Sequence, residues 1–446
     1  MTARKAVQGI SAKEYAERRR AALDAVAPQS ALLLPAGREL LRNGDTHYPF
    51  RQSSDFLYLT GFQEPDAILV LLPGRRAGET VLFCRDHDAR RERYDGPRLG
   101  PEQAAEALGL DDAFPLSDID DILPGLLEDR SQVYRPLGAD EAFEAQVRGW
   151  IEDCRSRRGG PVAALELTDS GHILHELRLF KSPAELRLMR EAARISVLAH
   201  ERAMARAAPG VPEYVLEAEI AYAFRSEGAT GPAYPSIVGS GANACIMHYV
   251  DNAAPLPEGG LVLIDAGAEY QGYAADITRT FPASGRFTPL QRQLYDLVFA
   301  AQTAAIEAVR PGATFNDPHL ASQRVLIAGL IELKVLTGTV EGILADGSAM
   351  PFLVHRCSHW LGIDVHDVGE YRFGEAWRIL EPGMVLTIEP GLYFPADLPE
   401  TPRAFAGIGI RIEDDVLVTA TGYEVLTEAA PRDGDAIEAL MAQSGS

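Results

Sequence analysis

Leu256 to Gly267 reads LPEGGLVLIDAG, and Leu380 to Gly391 reads LEPGMVLTIEPG. Laid over each other, Leu256 meets Leu380, Gly259 meets Gly383, Leu261 meets Val385, Val262 meets Leu386, Ile264 meets Ile388, Asp265 meets Glu389 and Gly267 meets Gly391. The chain therefore carries an internal repeat with an acid at the same place in each copy. Each copy is a glycine turn, a short β-rich apolar run and then the acid, the pattern of a buried strand with a carboxylate near its end. Such an acid needs a partner.

The segments ahead of the two copies repeat as well. Ser182-Pro183-Ala184-Glu185 has the form of a capping box with proline at the first helical position. Apolar residues at Leu186, Met189, Ala193, Val197 and Met204 then predict a long helix to about Ala208. Pro209-Gly210 breaks it, and a second helix carries Val215, Ile220 and Phe224. The order recurs: Thr288-Pro289 opens a helix through Leu290, Leu294 and Val298, Pro311-Gly312 breaks it, another helix spans Leu320 to Leu333, and strands follow. Two helices and then strands, twice over, predict an α+β domain whose similar halves face each other over a curved antiparallel sheet, with helices outside and the site between the halves.

The chain ahead of this domain reads as α/β. Ala12 to Ala27 has helical character, and Ala31 to Pro35, Ala67 to Leu72 and Val81 to Cys84 are short apolar runs with strand character. Arg51 to Phe62 is rich in aromatics, while Asp86 to Tyr94 (DHDARRERY) is a charge run, read as a solvated face or as a loop reaching a partner subunit. Small polar residues at Leu167 to His172 mark the expected boundary, giving domains 1–174 and 175–446.

Composition excludes several classes. With 446 residues, 46% of them hydrophobic, the chain can bury more than one core. Its net charge of −22 argues against nucleic acid or an anionic membrane as a partner, because both require clustered Lys and Arg. No apolar run approaches the roughly 18 residues of a spanning helix, and the first residues lack the apolar stretch of a signal peptide, so the cytoplasm is the expected compartment. Cys84, Cys154, Cys245 and Cys357 are scattered without a C-x-x-C pair, which reads as reduced thiols.

The chemistry lies in the second half. After Asp265 the chain turns through Gly267 to Gly272 and returns as Tyr273 to Phe281, which puts Asp265 and Asp276 on adjoining strands of a hairpin. Alternation places Ala274, Asp276, Thr278 and Thr280 on one face, with Thr278 expected to donate to Asp276. In GIGIRIEDD, Ile408, Ile410 and Ile412 share one face, and Gly407, Gly409, Arg411 and Glu413 share the other. Asp265, Asp276, Glu389 and Glu413 then converge as four acids, which repel one another unless a counter-charge is supplied. Two divalent cations balance four carboxylates, and a site of two metals about 3.5–4 Å apart is a common arrangement for amide or phosphate hydrolysis. Three of the chain's ten histidines, His355, His359 and His366, cluster in HRCSHWLGIDVHD and supply nitrogen.

Taken in order, Ile264-Asp265-Ala266-Gly267, Asp276-Ile277-Thr278-Arg279-Thr280-Phe281, His359-Trp360-Leu361-Gly362, Glu389-Pro390-Gly391 and Arg411-Ile412-Glu413-Asp414 resemble the Xaa-Pro aminopeptidases (aminopeptidase P) of the pita-bread metallopeptidase family. Tyr48-Pro49-Phe50-Arg51-Gln52-Ser53-Ser54-Asp55-Phe56 and Thr60-Gly61-Phe62 resemble that family's N-terminal domain. The resemblance implies a metal set of Asp265, Asp276, His359, Glu389 and Glu413, with Asp276 and Glu413 bridging. It implies catalytic roles for His248, His366 and Glu389, the last as general base towards a metal-bridging hydroxide, and a proline site lined by His355 and Arg411. It further implies two divalent metals, manganese first with zinc or cobalt as alternatives, peptide substrates with proline second, and a homodimer or homotetramer. Tyr94 stands where the family often has a substrate-contacting tryptophan, and Asp45 where a neighbouring subunit's acid approaches the site. Arg356-Cys357 departs from the family's small and aliphatic residues. A prolidase, restricted to dipeptides, is the alternative activity. A non-catalytic relative would show a broken ligand set, and this set is whole.

Overall fold

The computed structural model describes residues 9–138, 140–156 and 164–443. Contacts divide the chain into two units, Met1–Arg178 and Leu179–Ser446.

In the first unit the apolar runs become a six-stranded sheet in the order Asp112–Pro115, Thr80–Cys84, Ile68–Leu71, Ser30–Pro35, Gln132–Arg135, Glu166–Asp169. Ile68–Leu71 and Thr80–Cys84 are buried along their whole length, which is why they read as continuous apolar runs and not as alternating ones. Leu33, Val70 and Phe83 pack with Phe143 and Trp150 of the helix Glu141–Ser156 to form this unit's core. The segment Leu167 to His172, expected as a boundary, instead supplies the strand Glu166–Asp169, whose polar residues suit an edge position with exposed side chains. The charge run ends in the short helix Glu92–Asp95, and Asp88 accepts hydrogen bonds from the backbone N–H groups of Arg90 and Arg91.

The second unit begins with the helix Pro183–Arg206, and both hydrogen bonds of its capping box at Ser182 and Glu185 are formed. The second capping box, Thr288 with Gln291, opens the helix Pro289–Ala308. Glu213–Ser226 and Asp317–Glu332 follow as the second helix of each half. Within the repeat, Leu261–Asp265 lies between Ile237–Ser240 and Thr278–Pro282 in one antiparallel sheet, and Val385–Ile388 pairs with Asp414–Val418 in another. A further pair joins Gly391–Phe394 to Ile408–Arg411.

The halves are stitched together directly behind the acids. Glu413 donates its backbone N–H to Thr278 O at 3.0 Å, and Thr280 Oγ1 donates to Arg411 O at 2.9 Å. Arg279 and Asp414 form an ion pair at 2.7 Å with both side chains fully buried. A buried pair is costly unless its remaining groups are satisfied. Here Arg279 also donates to the carbonyls of Thr278, Glu413, Ala430 and Pro431, while Asp414 accepts from Gln302 and Thr427. The seam between halves is therefore rigid where the functional side chains leave it.

Candidate metal centre and active site

Each acid is delivered by a different local device. Asp265 closes the strand Leu261–Asp265, opposite Thr278 in the hairpin register. Asp276 sits where the chain returns from the hairpin tip, formed by Ala268–Tyr270 and Tyr273–Ala274. Gly267 permits this return, since a Cβ there would lie 1.7 Å from Ala275 O. Glu389 follows the strand Val385–Ile388, with its N–H on Cys357 O at 2.9 Å. Glu413 lies between the strands Ile408–Arg411 and Asp414–Val418. Gly409, on the same face, lets the backbone of Ala244 approach, with Ala244 O only 2.3 Å from where a Cβ would stand.

These elements bring nine of the residues singled out by sequence around one cavity of about 520 Å³: Asp265, Asp276, His359, Glu389, Glu413, His248, His366, His355 and Arg411 all line it. Tyr94 belongs to the first unit, on the helix Glu92–Asp95, and is 83% exposed.

Ligand atoms of Asp276, His359 and Glu413 lie within 4.8 Å of one another, close enough to share one cation. His359 donates Nδ1–H to Trp360 O at 2.9 Å, which fixes the ring and turns Nε2 towards Asp276 at 3.4 Å and Glu389 at 3.5 Å. Burial would lower the pKa of His359, but its contact with Asp276 and the charge of Glu389 overcome that and raise it to about 9. Burial, reinforced by Asp265, pushes Asp276 up to about 6. Burial likewise raises Glu389, and it raises Glu413 further with the added charges of Asp276 and Glu389. Carboxyls crowded and desolvated in this way hold protons unless a cation replaces them, so the donor set fits divalent metal.

The expected donation from Thr278 to Asp276 is corrected: Thr278 Oγ1 donates to Glu413 Oε2 at 2.6 Å, because Glu413 N–H is already docked on Thr278 O. Asp276 is served by Tyr234, whose hydroxyl bonds both Asp276 and Asp265, the latter at 2.6 Å. Tyr234 was not singled out from the sequence, since a lone tyrosine before Pro235 has no spacing that announces a role.

Arg411 reaches further into the centre than a lining residue. Its Nη2 meets Asp265 Oδ2 at 2.6 Å, Nε donates to Thr278 Oγ1 at 3.1 Å and Nη1 to Tyr393 Oη at 2.9 Å. The Tyr393 hydroxyl is 2.8 Å from His355 Nε2, and His355 Nδ1 is 2.7 Å from Arg356 O. This chain is consistent when His355 is neutral, donating through Nδ1 and accepting at Nε2. Burial, helped by the charge of Arg411, holds His355 down at about 4. Tyr393 is a second residue that sequence reading passed over. His248 is exposed at the cavity, and the ring of His366 stands edge-on 4.5 Å from that of His359.

Comparison with known proteins accords with this geometry. Residues 187–420 match the model of metallopeptidase family M24, and residues 15–134 match the aminopeptidase P N-terminal domain. The chain is 45% identical over 434 residues to Xaa-Pro aminopeptidase of Escherichia coli K12, covering 97% of this chain and 98% of that protein. It is 32% identical to human Xaa-Pro aminopeptidase 3 over 98% of its length and 87% of the relative's. The solved structure of Pseudomonas aeruginosa aminopeptidase PepP superposes with a TM-score of 0.96 at 50% identity, covering 98% of this chain and 99% of that one. E. coli aminopeptidase P with the inhibitor Pro-Leu superposes with a TM-score of 0.94 at 44% identity, covering 98% and 99%.

Proposed function

The chain belongs to metallopeptidase family M24 and carries the aminopeptidase P N-terminal domain, and from that premise we propose that it is a Xaa-Pro aminopeptidase. It releases the N-terminal residue from peptides with proline second. The observation that carries this reading is the convergence of four acids and four histidines, with Arg411, on one cavity. Asp265, Asp276, His359, Glu389 and Glu413 would hold two divalent cations, which when bound polarise the scissile carbonyl and acidify water. Manganese is our assignment, given four carboxylates to one imidazole; E. coli aminopeptidase P has also been solved in a zinc-substituted form. We assign the protein to the cytoplasm, which four cysteines outside any disulfide favour, and expect a homo-oligomer of two or four chains, in which Tyr94 and Asp45 contribute to a neighbouring site.

Glu389 accepts the proton of the attacking water and returns it to the leaving proline nitrogen, a role suited to a carboxyl whose pKa burial has raised above its ordinary value. His366 is held below its ordinary pKa by burial and by His359, so its neutral ring can donate a hydrogen bond to the substrate without adding charge. His248, on the same cavity, donates to the oxygen on which charge develops. His355 and Arg411, braced from behind by the Tyr393 hydroxyl, form the wall that receives the pyrrolidine ring. The bond cleaved lacks an N–H, so this wall needs no acceptor for one.

The test is release of the N-terminal residue from Xaa-Pro-Yaa tripeptides and Xaa-Pro dipeptides, comparing chelator-stripped enzyme with enzyme reloaded with Mn²⁺. Glu389→Ala should lower kcat by roughly 10²–10⁴-fold. Cleavage of dipeptides alone would turn the assignment to prolidase, and no cleavage with metal bound would leave a peptide-binding protein.

A further inference from the structure

The histidine-rich segment presents one side chain that the reaction above does not use. Arg356 lines the cavity beside His355, and its guanidinium lies 4.6 Å from the ring centre of Trp377. Arg372 lies against the same indole at 3.6 Å, set there by the hairpin Arg372–Phe373/Ala376–Trp377, in which Arg372 is directly opposite Trp377. Trp377 is backed by Phe315, which also touches Trp360 and Tyr371, so the indole is anchored to the core behind His359. Arg356 donates to Asn316 Oδ1 at 2.6 Å. Among the described residues no carboxylate comes within ion-pair distance of Arg356 or of Arg372, in a chain holding 64 acids. Burial, and the like charge of Arg372, press the pKa of Arg356 below its ordinary value.

Two guanidinium groups sharing one aromatic platform repel each other, and their N–H forks match the geometry of a carboxylate. Stacking holds them in place without consuming those donors. An anion reached by both forks would relieve the repulsion, and Arg411, the cavity's other guanidinium, is already paired with Asp265 at 2.6 Å. Arg356 follows His355, which lines the part of the cavity assigned to proline, so the next substrate residue is the one within its range. We propose that Arg356 and Arg372, spaced by Trp377, form a subsite for a carboxylate carried by the residue that follows proline. The proposal rests on the aminopeptidase reading and adds a substrate class to it. The carboxylate is either the C-terminus of a tripeptide or the side chain of an Asp or Glu after proline.

Three peptides separate the sources: Ala-Pro-Leu amide, with no carboxylate; Ala-Pro-Leu free acid, with a terminal one; and Ala-Pro-Glu amide, with a side-chain one. For the wild-type metalloenzyme at least one charged peptide should show a kcat/KM roughly 10-fold above the neutral amide, expressed mainly in KM, as expected for a charge-assisted fork. The advantage should shrink at about 1 M salt, where the screening length is about 3 Å. Arg356→Gln and Arg372→Gln should each bring the ratio towards one, and Arg356→Lys should restore part of it. Equal values for all three peptides in the wild type, or a preference that survives the double Gln variant, would overturn the subsite alone. Failure of all three peptides with metal bound would remove the aminopeptidase reading and the subsite with it.

Discussion

Tyr234 and His200 show how single side chains outside the ligand set govern it. The Tyr234 hydroxyl is within hydrogen-bond distance of both Asp265 and Asp276, with one proton for the pair, so it sets where both carboxyls point before any cation arrives. Tyr234→Phe keeps the ring and loses the donor. Metal retention should weaken about 10–100-fold, the usual cost of removing such a support, as read by competition with a chromogenic chelator. Retention equal to wild type would show that the strands alone orient the acids. His200 acts from the helix side. It is fully buried on Pro183–Arg206, and Nε2–H donates to Ala266 O at 3.0 Å, pinning the residue after Asp265. Burial holds its pKa down at about 4, the Ala266 carbonyl and Asp265 pulling upward and Arg279 pushing it lower. The folded pKa lies below the unfolded one near 6.5, so between them the unfolded chain binds more protons. Its contribution is complete above pH 6.5 and fades as pH falls towards 4, by on the order of 3 kcal/mol in all. Urea unfolding at pH 7.5 and 5 should show a shallower loss in His200→Gln than in wild type, and parallel losses would remove His200 from the account.

At the scale of elements, the repeat was legible because each copy encodes its own strand. Leu261–Asp265 and Val385–Ile388 formed where the glycine, apolar run and acid recur, and Ser182-Pro183 and Thr288-Pro289 opened the helices they announced. Long helices with proline at their first position and buried strands ending in an acid carry their signals locally. The donors behind the ligands did not, because Tyr234 and Tyr393 reach the site through tertiary folding and no periodicity marks them. Alternation along one strand pointed Thr278 at Asp276, its own neighbour, whereas the partner was Glu413 from the other half, 2.6 Å away. The first unit's edge strand Glu166–Asp169 escaped for a related reason: its side chains are half-buried or exposed, so its sequence resembles a linker. One glycine tests how tightly the hairpin is made. A Cβ on Gly267 would meet the backbone at Ala275 O and Ala275 C, neither of which can swing aside as a side chain can. Gly267→Ala should cost about 3 kcal/mol, at the upper end of overpacking penalties, and should lower metal affinity by spreading Asp265 from Asp276. Gly231→Ala, where nothing lies within 4 Å of the added Cβ, is the matched control and should stay within about 0.5 kcal/mol of wild type. Similar losses for the two variants would mean that the close approach is not what Gly267 provides.

For the whole molecule, the site and the stability of the second unit are one problem. Asp276 and Glu413 are buried, Glu389 is half-buried, and all three carboxyls have raised pKa values, so the metal-free fold must hold them protonated or repelling. The seam that presents them, from Thr278 to Asp414, ties the two halves of that unit together. Cations that bind the folded state and not the unfolded chain add about 2.7 kcal/mol at a hundredfold excess over Kd. For a unit of this size that corresponds to roughly 5–10 °C in Tm. Tryptophan fluorescence can assign the effect, because Trp150 lies in the first unit's core while Trp360 and Trp377 lie in the second unit's. In Trp150→Phe the remaining signal reports the second unit alone. Its melting should fall by that amount on chelation and return on adding Mn²⁺. The first unit, followed through Trp150 in a Trp360→Phe/Trp377→Phe variant, contains none of the proposed ligands and should melt at the same temperature with and without metal. A second-unit transition indifferent to chelation would mean that the acids are accommodated as protonated carboxyls at no cost, and the charge-balance argument for two cations would lose its footing.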